Sequence, residues 1–221
     1  MTDDPDTPAD SKLTRTKQAW ARSAKFLTGR IARPESDRLP PGQHLVKDWP
    51  VLDLGLQPDV ATANWTLDID GAVEQPQHWR WAEFMAQEQT SEVSDIHCVT
   101  TWSRYDNRWE GVSTRTLLDL VQPKPDAGFV VLHSNDGYTT NLTLEDFAGA
   151  DVLLAHSWEG EPLTTEHGGP VRLVVPKLYF WKSAKWLKRI EFTTANQPGF
   201  WEVRGYHGRG NPWAEERYSG D

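Results

Sequence analysis

The sequence predicts an α+β fold that is mainly β, built as a single large domain. Short segments rich in Val, Ile, Thr and aromatics follow one another with turn signals between them, giving about nine strands and four short helices. Strands mostly succeed strands, so the pattern is not the strand–helix alternation of a doubly wound sheet. The 221 residues suffice for one sizeable core. We place an acidic disordered tail at 1–13, an N-terminal helix and linker at 14–39, and the domain at 40–221.

Taken in order, Thr14 to Thr28 is predicted helical, because Trp20, Ala24 and Leu27 share a face and Gly29 supplies a stop. Residues 30–63 carry seven Pro and Gly breakers and read as a long loop docked on the core. Trp65 to Ile69 alternates as a strand, Asp70-Gly71 turns it and Val73 restarts it, a hairpin signal. Trp81 to Gln89 is a short helix, and Ser94 to Val99 a strand. Ser113 caps a helix running to Val121. Phe129 to His133 and Tyr138 to Leu142 flank the turn Asn135-Asp136-Gly137, and Thr143 caps a further helical turn. Val152 to Trp158, Val171 to Val175 and Leu187 to Thr193 complete the strands.

Composition excludes several classes. Lys and Arg total 23 against 32 Asp and Glu, a net charge of −9, so nucleic acid is not the expected main partner. No stretch approaches the ~18 apolar residues of a membrane span. The acidic start lacks a basic n-region or twin arginine, and with a single cysteine the chain reads as cytoplasmic. Charge is uneven, however. Lys182, Lys185, Lys188 and Arg189 fall within eight residues, a basic patch that suits a small anionic ligand or forms a solvated strand face. Most of the twelve Trp are expected in the core.

P-loop, dinucleotide-binding, zincin and nucleophile-elbow motifs are missing, and one cysteine cannot build a zinc ribbon. Two stretches remain. Asp95-Ile-His97-Cys98-Val-Thr-Thr-Trp102-Ser103 holds the lone cysteine among polar neighbours. Cys98 is a small buried hydrophobe, a nucleophile or a metal ligand. The second stretch runs from His167-Gly-Gly-Pro-Val-Arg172 to Lys182-Ser183-Ala184-Lys185-Trp186. Its glycine turn, Arg and Lys suit a phosphorylated ring cofactor, and equally make a structural hairpin.

Together these stretches resemble the molybdopterin-binding oxidoreductases of the sulfite oxidase fold. The likeness is to the compact single-domain branch that includes the catalytic subunit of the bacterial methionine-sulfoxide reductase system. It runs from about residue 40 to Tyr218, taking in Pro198-Gly-Phe-Trp-Glu and Asn211-Pro-Trp. The resemblance implies a molybdenum–molybdopterin cofactor with Cys98 as the protein's metal ligand. It implies cofactor contacts at His44, Trp49, Ser134, His167, Arg172, Lys182, Ser183, Ala184 and Lys185, and substrate-side residues at Trp102 and Arg104. An Arg at 104 would suit an anionic substrate such as sulfite. The activity implied is two-electron oxygen-atom transfer on a small sulfur-containing or similar substrate. With no haem or immunoglobulin-like domain in view, a separate electron-transfer partner and a monomer are expected. The alternatives are a molybdopterin-binding protein without turnover and a redox-sensing thiol domain.

Overall fold

The computed structural model describes residues 38–220. The helix predicted at 14–28 lies outside them. The described chain folds into two sheets, eleven strands and three short helices. Sheet A runs β1 (His44–Leu45), β5 (Trp102–Ser113), β8 (Leu153–Trp158) and β10 (Arg172–Val174), with β4 (Gln89–His97) paired to β5 and β9 (Glu161–Pro162) to β8. Sheet B runs β3 (Gln77–Arg80), β2 (Thr66–Gly71), β11 (Leu187–Thr193), β6 (Phe129–Ser134) and β7 (Thr139–Thr143). The β1–β5 and β2–β11 pairs are parallel and the rest antiparallel.

The helices are α1 (Trp81–Met85), α2 (Thr114–Val121) and α3 (Leu144–Phe147). Ser113 accepts from the Arg115 amide at 3.2 Å and Thr143 from the Asp146 amide at 3.0 Å, so both predicted caps satisfy an orphan donor. The α2 face carrying Leu117 and Val121 is fully buried.

Several elements differ from the sequence reading. Strand β5 is twelve residues long and was not anticipated, because Arg104, Asp106, Asn107 and Arg108 break its apolar alternation. It is the axis of sheet A, pairing with β1, β4 and β8. The helix from Trp81 stops at Met85, and Gln89 already opens β4. Strand β2 pairs with Gln77–Arg80 across a longer loop, and Val73 bridges Pro123 instead of restarting a strand. Cys98 lies just beyond β4, not inside a strand.

Gly111 permits the β5–β8 junction. A Cβ there would lie 2.0 Å from the Leu154 carbonyl oxygen, beside a register shift between Glu110 and Gly111. The core between the sheets is aromatic: Trp65, Trp79, Trp109 and Phe84 are at most 3% exposed. The Trp65 indole donates to Leu187 O and that of Trp109 to Ser94 Oγ, so their polar edges are satisfied.

Candidate active site

One cleft gathers the chemistry-bearing side chains. It encloses about 800 Å³ of space, open mouth included, and is lined by loops from both sheets. The loop between β4 and β5 supplies Cys98, Val99, Thr100 and Trp102. It is a tight hairpin: the Cys98 amide donates to Trp102 O at 2.8 Å and the Thr101 amide to Cys98 O at 3.0 Å. The loop places the thiol at the cleft wall, where Sγ lies 3.1 Å from Thr100 Oγ1.

The opposite end is cationic. Arg172, on β10, is 1% exposed and donates only to the carbonyls of His167, Leu173 and Ser183. Lys185 donates to Glu166 O at 2.7 Å. Among the described residues neither cation forms an ion pair with a carboxylate. Burial pushes the Arg172 guanidinium down to about 9. Burial, then repulsion from Arg172, pushes Lys185 down to about 8. Two adjacent buried cations without a counter-charge are costly by themselves and favour an anion between them. Gly168, at φ +100°, lets the chain pass this close, since a Cβ there would sit 2.8 Å from the Lys185 side chain.

Aromatics form the remaining walls: Trp49, Phe180, Trp181, Trp186, Trp201 and Tyr206. Trp181 is held by its indole donating to Glu202 at 3.0 Å and by Tyr206 packed edge-on at 5.1 Å. Two buried donors, Trp102 Nε1 and Ser134 Oγ, belong to cleft residues and have no hydrogen-bond partner among the described residues. Buried donors of this kind ordinarily find one.

Of the residues singled out in the sequence, Cys98, Trp102, Trp49, Ser134, Arg172, Ser183 and Lys185 share this cleft. The others do not line it. His167 lies one layer back, stacked on Trp49 at 3.8 Å between ring centroids. Burial and the neighbouring cations push its imidazole down to about 4. Ala184 is buried and contributes its carbonyl to the Leu173 amide. His44 is exposed on β1, beside Trp102. Lys182 points away from the cleft, into a buried ion pair with Glu202 at 2.6 Å. Arg104 is engaged outside the cleft by Asn107, Lys47 O, Glu159 and the Trp158 ring, so it supplies no anchor there for an anionic substrate.

Sequence reasoning missed Asp53, Asp136, Tyr138, Trp201 and Tyr206, which come from loops far apart in the chain. The Asn135-Asp136-Gly137 turn signal was present, but nothing in it showed that the turn faces a cleft. Burial raises the Asp136 carboxyl above its usual range.

A two-sheet domain whose cleft combines a lone thiol, two uncompensated cations and idle donors defines a site for an anionic cofactor with a soft metal centre. The chain belongs to the oxidoreductase molybdopterin binding domain family, whose profile matches residues 54–201, and is an oxidoreductase of that kind. It is 46% identical over 188 residues to the uncharacterized oxidoreductase YuiH of Bacillus subtilis, covering 85% of this chain and 95% of that one. It is 28% identical over 190 residues to the protein-methionine-sulfoxide reductase catalytic subunit MsrP of Campylobacter jejuni, covering 72% of this chain and 64% of the relative. The crystal structure of the sulfane dehydrogenase SoxCD from Paracoccus pantotrophus superposes with a TM-score of 0.60 at 21% identity, over 71% of this chain and 46% of that one. It supports the sulfite-oxidase-like fold. This chain thus spans less than two thirds of the MsrP relative and under half of the SoxCD chain. No helix among the described residues is long and apolar enough to cross a membrane.

Proposed function

We propose that this protein is a molybdenum-cofactor enzyme that moves an oxygen atom to or from sulfur in a small substrate, with sulfoxide reduction the favoured direction. The observation that carries it is the pairing of the chain's only cysteine with two buried, uncompensated cations on one cleft. When bound, the cofactor supplies the two-electron oxygen-atom exchange that no side chain here performs. Cys98 is its protein ligand, and metal binding would draw off the thiol proton. Arg172 and Lys185 hold its phosphate, with Ser134 and the Trp102 indole as further donors.

The aromatic walls set what enters. Trp181, Trp201 and Tyr206 offer an apolar surface with one phenol, which suits a neutral sulfoxide better than a sulfite dianion. The phenol of Tyr206 is pushed up, by burial first and then by Tyr218 and Cys98, so it stays protonated and donates rather than takes a proton. Arg104 lies outside the cleft, which removes the one residue that favoured sulfite. The relative named as a methionine-sulfoxide reductase subunit points the same way. Electrons come from a separate partner, and the compartment in this reading is the cytoplasm.

The test is elemental analysis of wild type and Cys98→Ser, purified in parallel from a host that makes the cofactor. Near one molybdenum per wild-type chain is expected, with loss of metal or of the thiolate-to-metal absorption in the variant. Dialkyl sulfoxide and sulfite are then assayed with artificial donor and acceptor dyes. Wild type without molybdenum or pterin would refute the cofactor assignment; turnover of sulfite alone would refute the sulfoxide assignment.

A further inference from the structure

The Cys98 loop is strained and held from outside. Thr101, a β-branched residue, sits at φ +78°, in the left-handed region that such side chains rarely adopt. A conformation of this kind persists only where its surroundings over-determine it. Two of the loop's carbonyls are gripped. Gln43 Nε2 donates to Cys98 O at 3.2 Å, and one guanidinium nitrogen of Arg217 donates to Val99 O at 2.8 Å.

Each grip is itself anchored. Gln43 is 1% exposed, its Oε1 accepts from Ser103 Oγ at 3.2 Å, and Ser103 Oγ lies 2.8 Å from His97 Nδ1. The base of the hairpin is thus tied to the same side chain as its tip. Arg217 also reaches Pro41 O at 3.4 Å and lies 5.1 Å over the Tyr179 ring. Gln43 precedes the family-matched span 54–201 and Arg217 follows it, so the family match assigns neither. One clamp comes from the loop leading into β1, the other from the far end of the chain.

We infer that Gln43 and Arg217 are positioning residues that hold the Cys98 loop in its strained turn, so that the thiol is presented to the cleft before any ligand binds. This rests on the reading of Cys98 as the site's ligand, but its first test does not need the cofactor. In cofactor-free protein, iodoacetamide should alkylate Cys98 slowly, because the residue is 6% exposed. Losing a hydrogen bond from a charged donor should raise the local opening rate, and with it alkylation, by about tenfold in Arg217→Met. Arg217→Lys should restore most of the protection. The thermal midpoint of global unfolding should change little, since Arg217 is only half-buried. Gln43→Met, similar in volume, should act in the same direction.

In protein loaded with cofactor, Arg217→Met should keep its molybdenum but shift the thiolate-to-metal absorption. Its kcat should fall by about tenfold or more with KM nearly unchanged, as misplacement of a reacting group predicts. Wild-type alkylation rates in both Arg217→Met and Gln43→Met would overturn the proposal. So would an unshifted absorption band with full kcat. If one variant does not fold, the alkylation rate of the other decides. Absence of molybdenum from wild type would overturn the cofactor reading while leaving the alkylation result to judge the clamp.

Discussion

At the scale of single residues, the cleft is built at a cost to the protein without its ligand. Arg172 and Lys185 repel one another in a half-dry setting. Replacing Lys185 with Met removes that repulsion. The cofactor-free variant should therefore be as stable as wild type or more so, by up to about 1 kcal/mol, in chemical denaturation. The same variant should retain about tenfold less pterin after gel filtration, a loss of one charge-assisted contact. Stability rising while retention falls would identify Lys185 as a ligand-holding group; a fall in both would make it structural.

At the scale of elements, two junctions carry the load. Lys182 and Glu202 lie in different segments, 0% and 3% exposed, and their ion pair anchors the Trp181 wall from behind. Lys182→Met leaves the Glu202 carboxylate buried and uncompensated, and should cost about 3–5 kcal/mol. For a chain of this size that lowers the thermal midpoint by roughly 10 °C. Molybdenum content per folded molecule should hold, because Lys182 does not line the cleft. Gly111→Ala should push β5 away from β8, costing about 1–3 kcal/mol or more by overpacking, read as a lowered denaturant midpoint.

At the scale of the whole molecule, the protein without cofactor should respond to pH in two windows. His167 binds its proton near 4 when folded and near 6.5 when unfolded. Between those values the unfolded chain holds more protons, so stability grows as pH rises from about 4 to 6.5. Lys185 is held near 8 against a model value of 10.5, so the same logic adds stability as pH rises from about 8 to 10.5. The Lys185→Met variant should lose the upper window, and His167→Gln should flatten the lower one. Thermal midpoints measured across pH would show either slope or its absence.

The sequence by itself determined the β-rich class, the caps at Ser113 and Thr143, and the two stretches around Cys98 and Arg172. These are local signals: periodicity, a side chain reaching its own backbone, a rare residue among polar neighbours. Tertiary structure decided which residues face the cleft. Lys182 and Lys185 are three apart in one basic run, yet one turns to Glu202 behind Trp181 and the other to the cleft beside Arg172. Arg104 follows Cys98 closely but sits on β5, whose pairing with β4 and β1 fixes it among Asn107, Glu159 and Trp158. Gln43, Tyr206 and Arg217 come from the ends of the described chain and meet the site only because two sheets pack there. No short-range pattern encodes that meeting, because it is fixed by strand pairing and burial over long separations.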